Sequence, residues 1–413
     1  MRILWTLPYL PWPITSGGKA RQYHLIRRMA ERGHAITLLV QSKTPLDDQV
    51  RQALSPWVEQ LIVLPRRPLK HPITLWHAVT SRLPLLASIN GYAPALSRRF
   101  DALLDERTWD VIQIEHSYGF EPFADSLARR RMPFVLTEHN VESTLGAATY
   151  GKWPGWARPL ARYDQWRAER WERQVLSKAQ AIVAVTESDA RALSAIGGRP
   201  AHVVANGVDT RGFATVQADA TAGAVLFVGN YEYAPNVDAV EWAVTEIFPR
   251  LWQRVPTARF LVCGHALPAS WPARFNDARI EWRGYVDDLT AVQSQSSVFM
   301  APLRFGGGSK LKVLEALAAG LPLVSTREGL SGLGAQPGVH ARVADTAQSQ
   351  ADELADLLTH PEQARALGDA ARRFVNERFD WSASASQLEA AYAHLPRAQR
   401  QPDAAPTLTE KPS

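Results

Sequence analysis

Residues 298–319 hold the arrangement that most limits how this chain can fold. An apolar run of strand length (Val298–Pro302) meets a loop with three consecutive glycines, Gly306, Gly307 and Gly308, and a helix is expected from about Lys310 to Ala319. Bare glycine N–H groups and tolerance of positive φ let a ligand approach the backbone closely. Ser309 is a candidate N-cap. The positive end of the helix dipole then faces whatever sits over the loop, which suits a phosphate. Lys310 and Lys312 fall in the expected first turn, where a cation opposes the dipole by roughly 0.3–1 kcal/mol each. A bound anion would reverse that sign.

At about 100° per residue, Leu311, Leu314, Leu317 and Ala318 form the apolar stripe of this helix, and Glu315 projects only about 40° from Leu311. A carboxylate on that inward edge needs a partner. The hydroxyls of a bound polyol supply one. A Lys312–Glu315 pair at i, i+3 spacing supplies another with no ligand at all.

The same grammar opens the chain. Arg2–Leu7 reads as a strand, Ser16–Gly17–Gly18 ends a Pro-rich loop, a helix with Leu25, Ile26 and Met29 inward runs to Gly33, and His34–Val40 is the next strand. This order starts a doubly wound parallel sheet. A dinucleotide fold would add Gly-x-Gly-x-x-Gly after the first strand and an acidic residue after the second. Gln41–Ser42–Lys43 stands there instead, so a nicotinamide cofactor is not expected. Residues 44–108 carry turn signals and helical stretches without a motif. Asp110–Glu115 and Phe134–Thr137 are further strands, and His116 and His139 follow just past their ends, where parallel sheets place their ligand crevice. A lone histidine is more often structural, but two at equivalent strand ends point to a site.

Ala181–Val185 continues this unit, and Asn206–Gly207–Val208–Asp209 reads as the turn that closes it. A second unit follows. Val225–Val228 leads to Gly229–Asn230–Tyr231 and a helix capped by Asn236, and Arg259–Cys263, Ile280–Trp282, Val298–Ala301 and Leu323–Ser325 are its later strands. A flexible loop is expected at Gly329–Gly334. Helices over 361–378 and 381–394 break at Phe379–Asp380–Trp381, and the Pro-, Ala- and Gln-rich tail 397–413 is expected to be disordered.

At 413 residues two domains are the default. The single cysteine, Cys263, excludes an intrachain disulfide and a thiolate metal cluster, and its apolar run marks it as a buried strand residue. No run approaches the ~18 apolar residues of a membrane span. Pro8, Pro11 and Pro13 break the short apolar N-terminus, so a signal peptide is not expected. These points imply a cytoplasmic protein, at most peripheral at the inner face of the plasma membrane. Residues 151–178 differ in kind: seven basic residues against three acidic ones, with Trp153, Trp156, Trp166 and Trp171. On a helix from about Arg158, Leu160, Tyr163, Trp166, Trp171 and Val175 share an apolar side. Such a side fits an anionic membrane surface, or the helix packs on its own domain and the arginines are solvated. Basic residues do not cluster with a nucleic-acid reading motif, so no nucleic acid is expected.

In the second unit, Phe227–Val228–Gly229–Asn230–Tyr231, Pro235–Asn236–Val237–Asp238, Arg283–Gly284–Tyr285–Val286–Asp287, Gly306–Gly308 and Lys310–Glu315–Ala316 together resemble the retaining family 4 glycosyltransferases of GT-B fold. Asn206–Gly207–Val208–Asp209 resembles that family's phrase between its domains. The resemblance implies an α/β fold of two Rossmann-like doubly wound domains facing an interdomain cleft. An acceptor-side domain 1–209, joined by a crossing helix 381–395, would face a nucleotide-sugar donor domain 210–378. Family members carry two glutamates eight positions apart: the second holds the donor ribose and the first lies near the donor sugar. Glu315 matches the second, and Gly307 stands where the first would be. Asn230 and Asn236 stand where many members keep a basic pair for the diphosphate, so that role is expected to move to Lys310, then Arg304.

By similarity, Gly17 and Gly18 approach the diphosphate and His139 the transferred sugar. Gly229, Asn230, His116, the 306–309 loop, Leu311 and Lys312 complete the expected substrate-binding set. The implied reaction moves a sugar with retention from a nucleotide-diphosphate sugar to a hydroxyl of a glycan or lipid-linked acceptor, in cell-envelope or exopolysaccharide synthesis. No cofactor and no metal are expected, and no Asp-x-Asp sequence occurs. A sugar-nucleotide epimerase of the same fold, or a non-catalytic sugar-nucleotide-binding protein suggested by Gly307, remains as an alternative.

Overall fold

The computed structural model describes residues 1–68, 71–144, 158–306 and 310–395. Its core is two sheets. The first contains β1 (Arg2–Leu7), β2 (Ala35–Ser42), β3 (Gln60–Pro65), β4 (Val111–Glu115), β5 (Val135–Glu138), β6 (Ala181–Ala184) and β7 (Ala201–Val203), in spatial order β3-β2-β1-β4-β5-β6-β7. The second contains β8 (Ala224–Val228), β9 (Arg259–Cys263), β10 (Ile280–Gly284), β11 (Val298–Ala301), β12 (Leu323–Ser325) and β13 (Arg342–Val343), in order β10-β9-β8-β11-β12-β13. Every pairing between these strands is parallel. Helices cover both faces, so the central strands read as unbroken apolar runs rather than alternating ones. All of Val298, Phe299, Met300 and Ala301 are buried, as are Ile3, Leu4 and Trp5. Strand order reverses between β1 and β4 and again between β8 and β11, the two places where such sheets open a crevice.

Eight helices matter for the site and its surroundings: α1 (Gly17–Glu31), α2 (Pro72–Thr80), α3 (Leu85–Gly91), α4 (Arg158–Lys178), α5 (Ala234–Trp242), α6 (Leu311–Ala318), α7 (Pro361–Arg378) and α8 (Trp381–Tyr392). Ser16 caps α1 through its side chain, which accepts from the Lys19 N–H at 3.4 Å. Two expected helix starts differ. Tyr233, not Asn236, holds the cap position of α5. Asn236 lies inside the helix because Pro235, with no N–H to lose, suits the first turn. Helix α6 begins one residue late, so Lys310 takes the cap position and makes no side-chain capping bond. Ser309, Gly307 and Gly308 lie outside the described residues, as does the tail 397–413. The loop expected at Gly329–Gly334 begins inside a short helix, Arg327–Leu330, whose cap Thr326 accepts from the Gly329 N–H at 3.0 Å. β3, half-buried at the sheet edge, carries the apolar run Leu61–Leu64 that the sequence reading of residues 44–108 passed over, and the two-residue β13 is too short to leave such a run.

The chain crosses back at its end. Trp381, Ala385, Leu388, Ala391 and Tyr392 of α8 are buried in one cluster with Ile3, Trp5, Leu25, Ile26, Met29 and Leu38 of the first sheet and α1. The Tyr392 hydroxyl donates to the Gln113 side chain inside that core. Gly207 makes this approach possible, since a Cβ there would come within 2.9 Å of both the Phe379 carbonyl and Trp381. Arg28 clasps the crossing, reaching Asp209 at 3.2 Å and Asp380 at 4.0 Å.

Helix α4 divides its apolar stripe. Trp171, Val175 and Leu176 are core, while Leu160, Tyr163 and Trp166 are exposed. Lys152, Trp153 and Trp156 lie outside the described residues. No helix among the described residues is long and apolar enough to cross a membrane.

Candidate active site

The carboxyl ends of the two sheets enclose a cleft of about 610 Å³. The first sheet contributes Trp12–Gly17 and Ala20. The second contributes Val228, Gly229 and Asn230 after β8, Gly264 and His265 after β9, Tyr285–Asp287 after β10, and Leu303, Phe305 and Gly306 after β11. Lys310, Leu311, Lys312 and Glu315 of the α6 segment complete its wall. Backbone approach sets this shape. Gly264 has φ of 133°, and a Cβ there would fall 1.7 Å from the Gly229 carbonyl oxygen. Gly264→Ala is therefore expected to push the β8 and β9 loops apart, lowering the melting temperature and weakening nucleotide binding together. A melting curve and a binding titration check both.

The cationic end of the cleft is built from α6. Lys310 is buried, and its Nζ donates to the Gly306 carbonyl at 2.9 Å and meets Glu328 Oε1 at 3.2 Å. Lys312 Nζ lies 4.6 Å from the Phe227 ring centre and donates to Asn236 Oδ1, while Asn236 Nδ2 donates to the Asn230 carbonyl at 2.7 Å. The two asparagines thus hold a lysine in place of gripping a ligand by charge themselves. Burial pulls Lys312 down to about 7, against the attraction of Glu315, and burial lifts Glu315 to about 7. An anion beside Lys312 restores its proton, and hydroxyl donors beside Glu315 favour its ionised form. A ligand carrying phosphate and polyol would therefore stabilise the charged forms of both side chains.

Arg304 does not join this group. Its Nε donates to Asp238 at 2.9 Å and its guanidinium lies 5.2 Å from the Trp242 ring centre, so the ion pair holds it on the outer surface, off the cleft wall. Burial pushes the Cys263 thiol up to about 11, which leaves no nucleophile there.

Gly17 lines the cleft, and a Cβ on it would come within 3.0 Å of Leu311, so the two domains meet at that point. Gly18, His116 and His139 lie behind the wall. A Cβ on Gly18 would come within 3.4 Å of His139 Nδ1 and 3.1 Å of the Tyr9 hydroxyl. The two imidazoles, 4.3 Å apart, are turned into a buried polar cluster. His139 Nε2 meets Glu115 Oε2 at 3.2 Å, and Gln22 donates to the same carboxylate at 2.7 Å. His116 Nδ1 lies 3.2 Å from Glu142 and 3.8 Å from Glu138. Its backbone is in the left-handed region at φ of 65°, a strained conformation for a side chain of this size.

Burial by itself would lower His116, but Tyr118, Glu138 and Glu142 outweigh it and hold the ring well above its ordinary value. Burial pulls His139 down to about 4, reinforced by the charge on His116, so at neutral pH one ring is charged and its neighbour is not. The His116, Glu138 and Glu142 ligand atoms lie within 4.8 Å of one another, a spacing a cation could bridge, and the imidazolium already supplies positive charge there.

Asn236 was marked by resemblance as a diphosphate position, but its hold on Lys312 was not legible, and Glu328, which meets Lys310, was not legible as a site residue at all. Glu328 stands three residues past the end of β12, a position beyond a parallel strand end that could have marked it.

The family model described as Glycosyltransferase Family 4 matches residues 15–211, and that described as Glycosyl transferases group 1 matches residues 222–360. An MMP alpha-(1->4)-mannosyltransferase from Mycolicibacterium hassiacum is 26% identical over 406 residues, covering 89% of this chain and 92% of that protein. A sucrose-phosphate synthase from Thermosynechococcus elongatus superimposes with a TM-score of 0.68 at 17% identity, over 95% of this chain and 98% of the other. HepE from Anabaena, in complex with UDP and glucose, superimposes with a TM-score of 0.64 at 15% identity, over 96% of this chain and 100% of the other. With one family model on each sheet and the cleft between them, the chain belongs to the GT-B-fold glycosyltransferases of group 1 and family 4.

Proposed function

We propose that this glycosyltransferase takes its sugar from a nucleoside-diphosphate sugar and transfers it, with retention and without a metal ion, to a hydroxyl of a cell-envelope glycan or lipid-linked acceptor. The observation that carries the donor reading is the grouping of Lys310, Lys312 and Glu315 on one wall of the cleft, two lysines within five residues of a carboxylate. Lys310 and Lys312 take the diphosphate and Glu315 the ribose hydroxyls. The UDP- and glucose-bound HepE supports a nucleotide-sugar donor, and the mannosyltransferase relative supports sugar transfer. The acceptor enters beside the first sheet.

In the step itself the bond from the anomeric carbon to the phosphate oxygen breaks, and the acceptor oxygen bonds the same face of that carbon. The acceptor proton passes to the leaving phosphate oxygen. Negative charge grows on the diphosphate as the sugar becomes cation-like, so Lys310 and Lys312 contribute most at the transition state.

A panel of nucleotide sugars in a thermal-shift assay tests the donor. One ligand at 100 times its dissociation constant adds ~2.7 kcal/mol, enough for an upward shift of several degrees. With that donor and an acceptor, the product is expected to keep the anomeric configuration and the rate to survive EDTA. Loss of activity in chelator, restored by a divalent cation, overturns the metal-free scheme. A panel with no shift overturns the donor reading.

A further inference from the structure

The sugar-transfer scheme leaves unused an apolar patch on the first domain. Helix α2 exposes Ile73 at 42%, Trp76 at 66% and Val79 at 83%, spaced three apart along one flank. Leu86 of α3 is 47% exposed, and Leu160, Tyr163 and Trp166 of α4 are 60%, 54% and 54% exposed. A buried ion pair ties these helices together. Arg167 Nε donates to Asp164 at 3.0 Å, the Leu85 N–H donates to the same carboxylate at 3.0 Å, and Arg167 also donates to the Ser81 carbonyl at 3.2 Å. The connection from α2 to α3 is thereby pinned against α4, so the exposed residues form one surface.

The charge around that surface is mostly positive. Arg82, Arg158, Arg162, Arg170, Arg173 and Lys178 are exposed, against Glu169. Asp164 is held by Arg167, and Glu172 is buried, accepting from the Glu142 N–H at 2.8 Å. Between residues 72 and 91 there is no acidic residue. Aromatic rings and guanidinium groups are interleaved: Tyr163 and Trp166 stack at 6.0 Å, with Arg167 5.0 Å from one ring centre and Arg170 5.7 Å from the other.

We infer that this surface docks the enzyme on a lipid bilayer bearing anionic headgroups. Trp76, Val79, Leu160 and Trp166 enter the headgroup boundary, and the arginines meet lipid phosphates. Tryptophan and tyrosine favour that boundary because one end of each ring system is apolar and the other is wet. A second copy of this chain would set two like-charged rims against each other, so charge favours the lipid occupant. The patch also lies beside the site. Helix α3 packs on Ser117–Gly119, the turn directly after His116, and Trp171 of α4 donates to the Ser117 carbonyl at 3.0 Å. Docking there brings the acceptor side of the cleft to the membrane plane.

Vesicle cosedimentation of the full chain tests this without any donor or acceptor, so its outcome is separate from that of the transfer reading. Binding is expected to phosphatidylcholine vesicles containing phosphatidylglycerol, to be absent with phosphatidylcholine alone, and to be lost in molar salt. Replacing Arg158, Arg162 and Arg170 with glutamine is expected to weaken partitioning roughly a hundredfold. A Trp76→Ser, Trp166→Ser double variant is expected to weaken it at least ~10-fold. Both variants should keep the wild-type melting temperature and nucleotide affinity, which separates lost docking from lost folding. The proposal is overturned if wild type ignores anionic vesicles or if either variant binds as wild type does. It is equally overturned if the double variant abolishes a concentration-dependent dimer instead.

Discussion

A chain ending at Asp380 will lose cooperative folding of its first domain, although every residue of that domain's sheet remains. Helix α8 supplies Trp381, Ala385, Leu388, Ala391 and Tyr392 to a core otherwise built from residues before 210. Burying a tryptophan of this kind is worth ~3–5 kcal/mol by truncation to alanine. A whole domain is stable by only ~5–15 kcal/mol. Removing all five side chains, with the Tyr392–Gln113 hydrogen bond, therefore takes most of the margin. The single substitution Trp381→Ala is the graded version. At roughly 2–4 °C per kcal/mol for a domain of this size, it should lower the first-domain transition by about 10 °C. A chain ending at residue 396 should melt as the full-length protein does. Calorimetry of the three proteins checks this, and equal transitions in all of them would show that α8 adds nothing to the first domain.

Lys310→Ala should reduce kcat by ~10²–10³-fold while changing donor affinity much less. Loss of one preorganised donor facing developing charge has about that effect. The geometry explains why the loss falls on turnover. Lys310 already has protein partners, Gly306 and Glu328, so its contact with a ground-state diphosphate replaces interactions of similar kind. Only growing charge on the leaving group tips that exchange strongly. Glu315→Ala is the contrasting variant. A carboxylate that holds ribose hydroxyls binds ground and transition states alike, so its loss should raise the donor Michaelis constant with little change in kcat. Steady-state kinetics on both variants checks the pair. A Lys310→Ala enzyme altered only in its Michaelis constant would remove the lysine from leaving-group stabilisation.

Much of the architecture was legible because parallel strands covered on both faces leave unbroken apolar runs in the sequence. Arg259–Cys263, Val298–Ala301 and Leu323–Ser325 fall where those runs place them. β13 was missed because two residues leave no apolar run, whereas β3 was passed over although Leu61–Leu64 is such a run. Glu315 was legible from its angle on an amphipathic helix, which depends only on residues four positions apart.

Local sequence by itself determined most of the strands and the α6 face that meets the cleft, because short-range sterics and helical periodicity act within a few residues. Tertiary structure alone decided which charges face the ligand. Arg304 and Lys310 are equivalent candidates six residues apart, yet Asp238, 66 positions away in sequence, draws one to the outer surface, while Glu328 and Gly306 keep the other in the cleft. His116 and His139 both follow strand ends, yet their carboxylate neighbours and burial drive them to opposite protonation states. The apolar side of α4 was visible as a stripe, and only packing separated its core half, Trp171 and Val175, from the exposed half, Leu160, Tyr163 and Trp166. Charge partners and burial are set by residues far apart in the chain, and no local pattern encodes them.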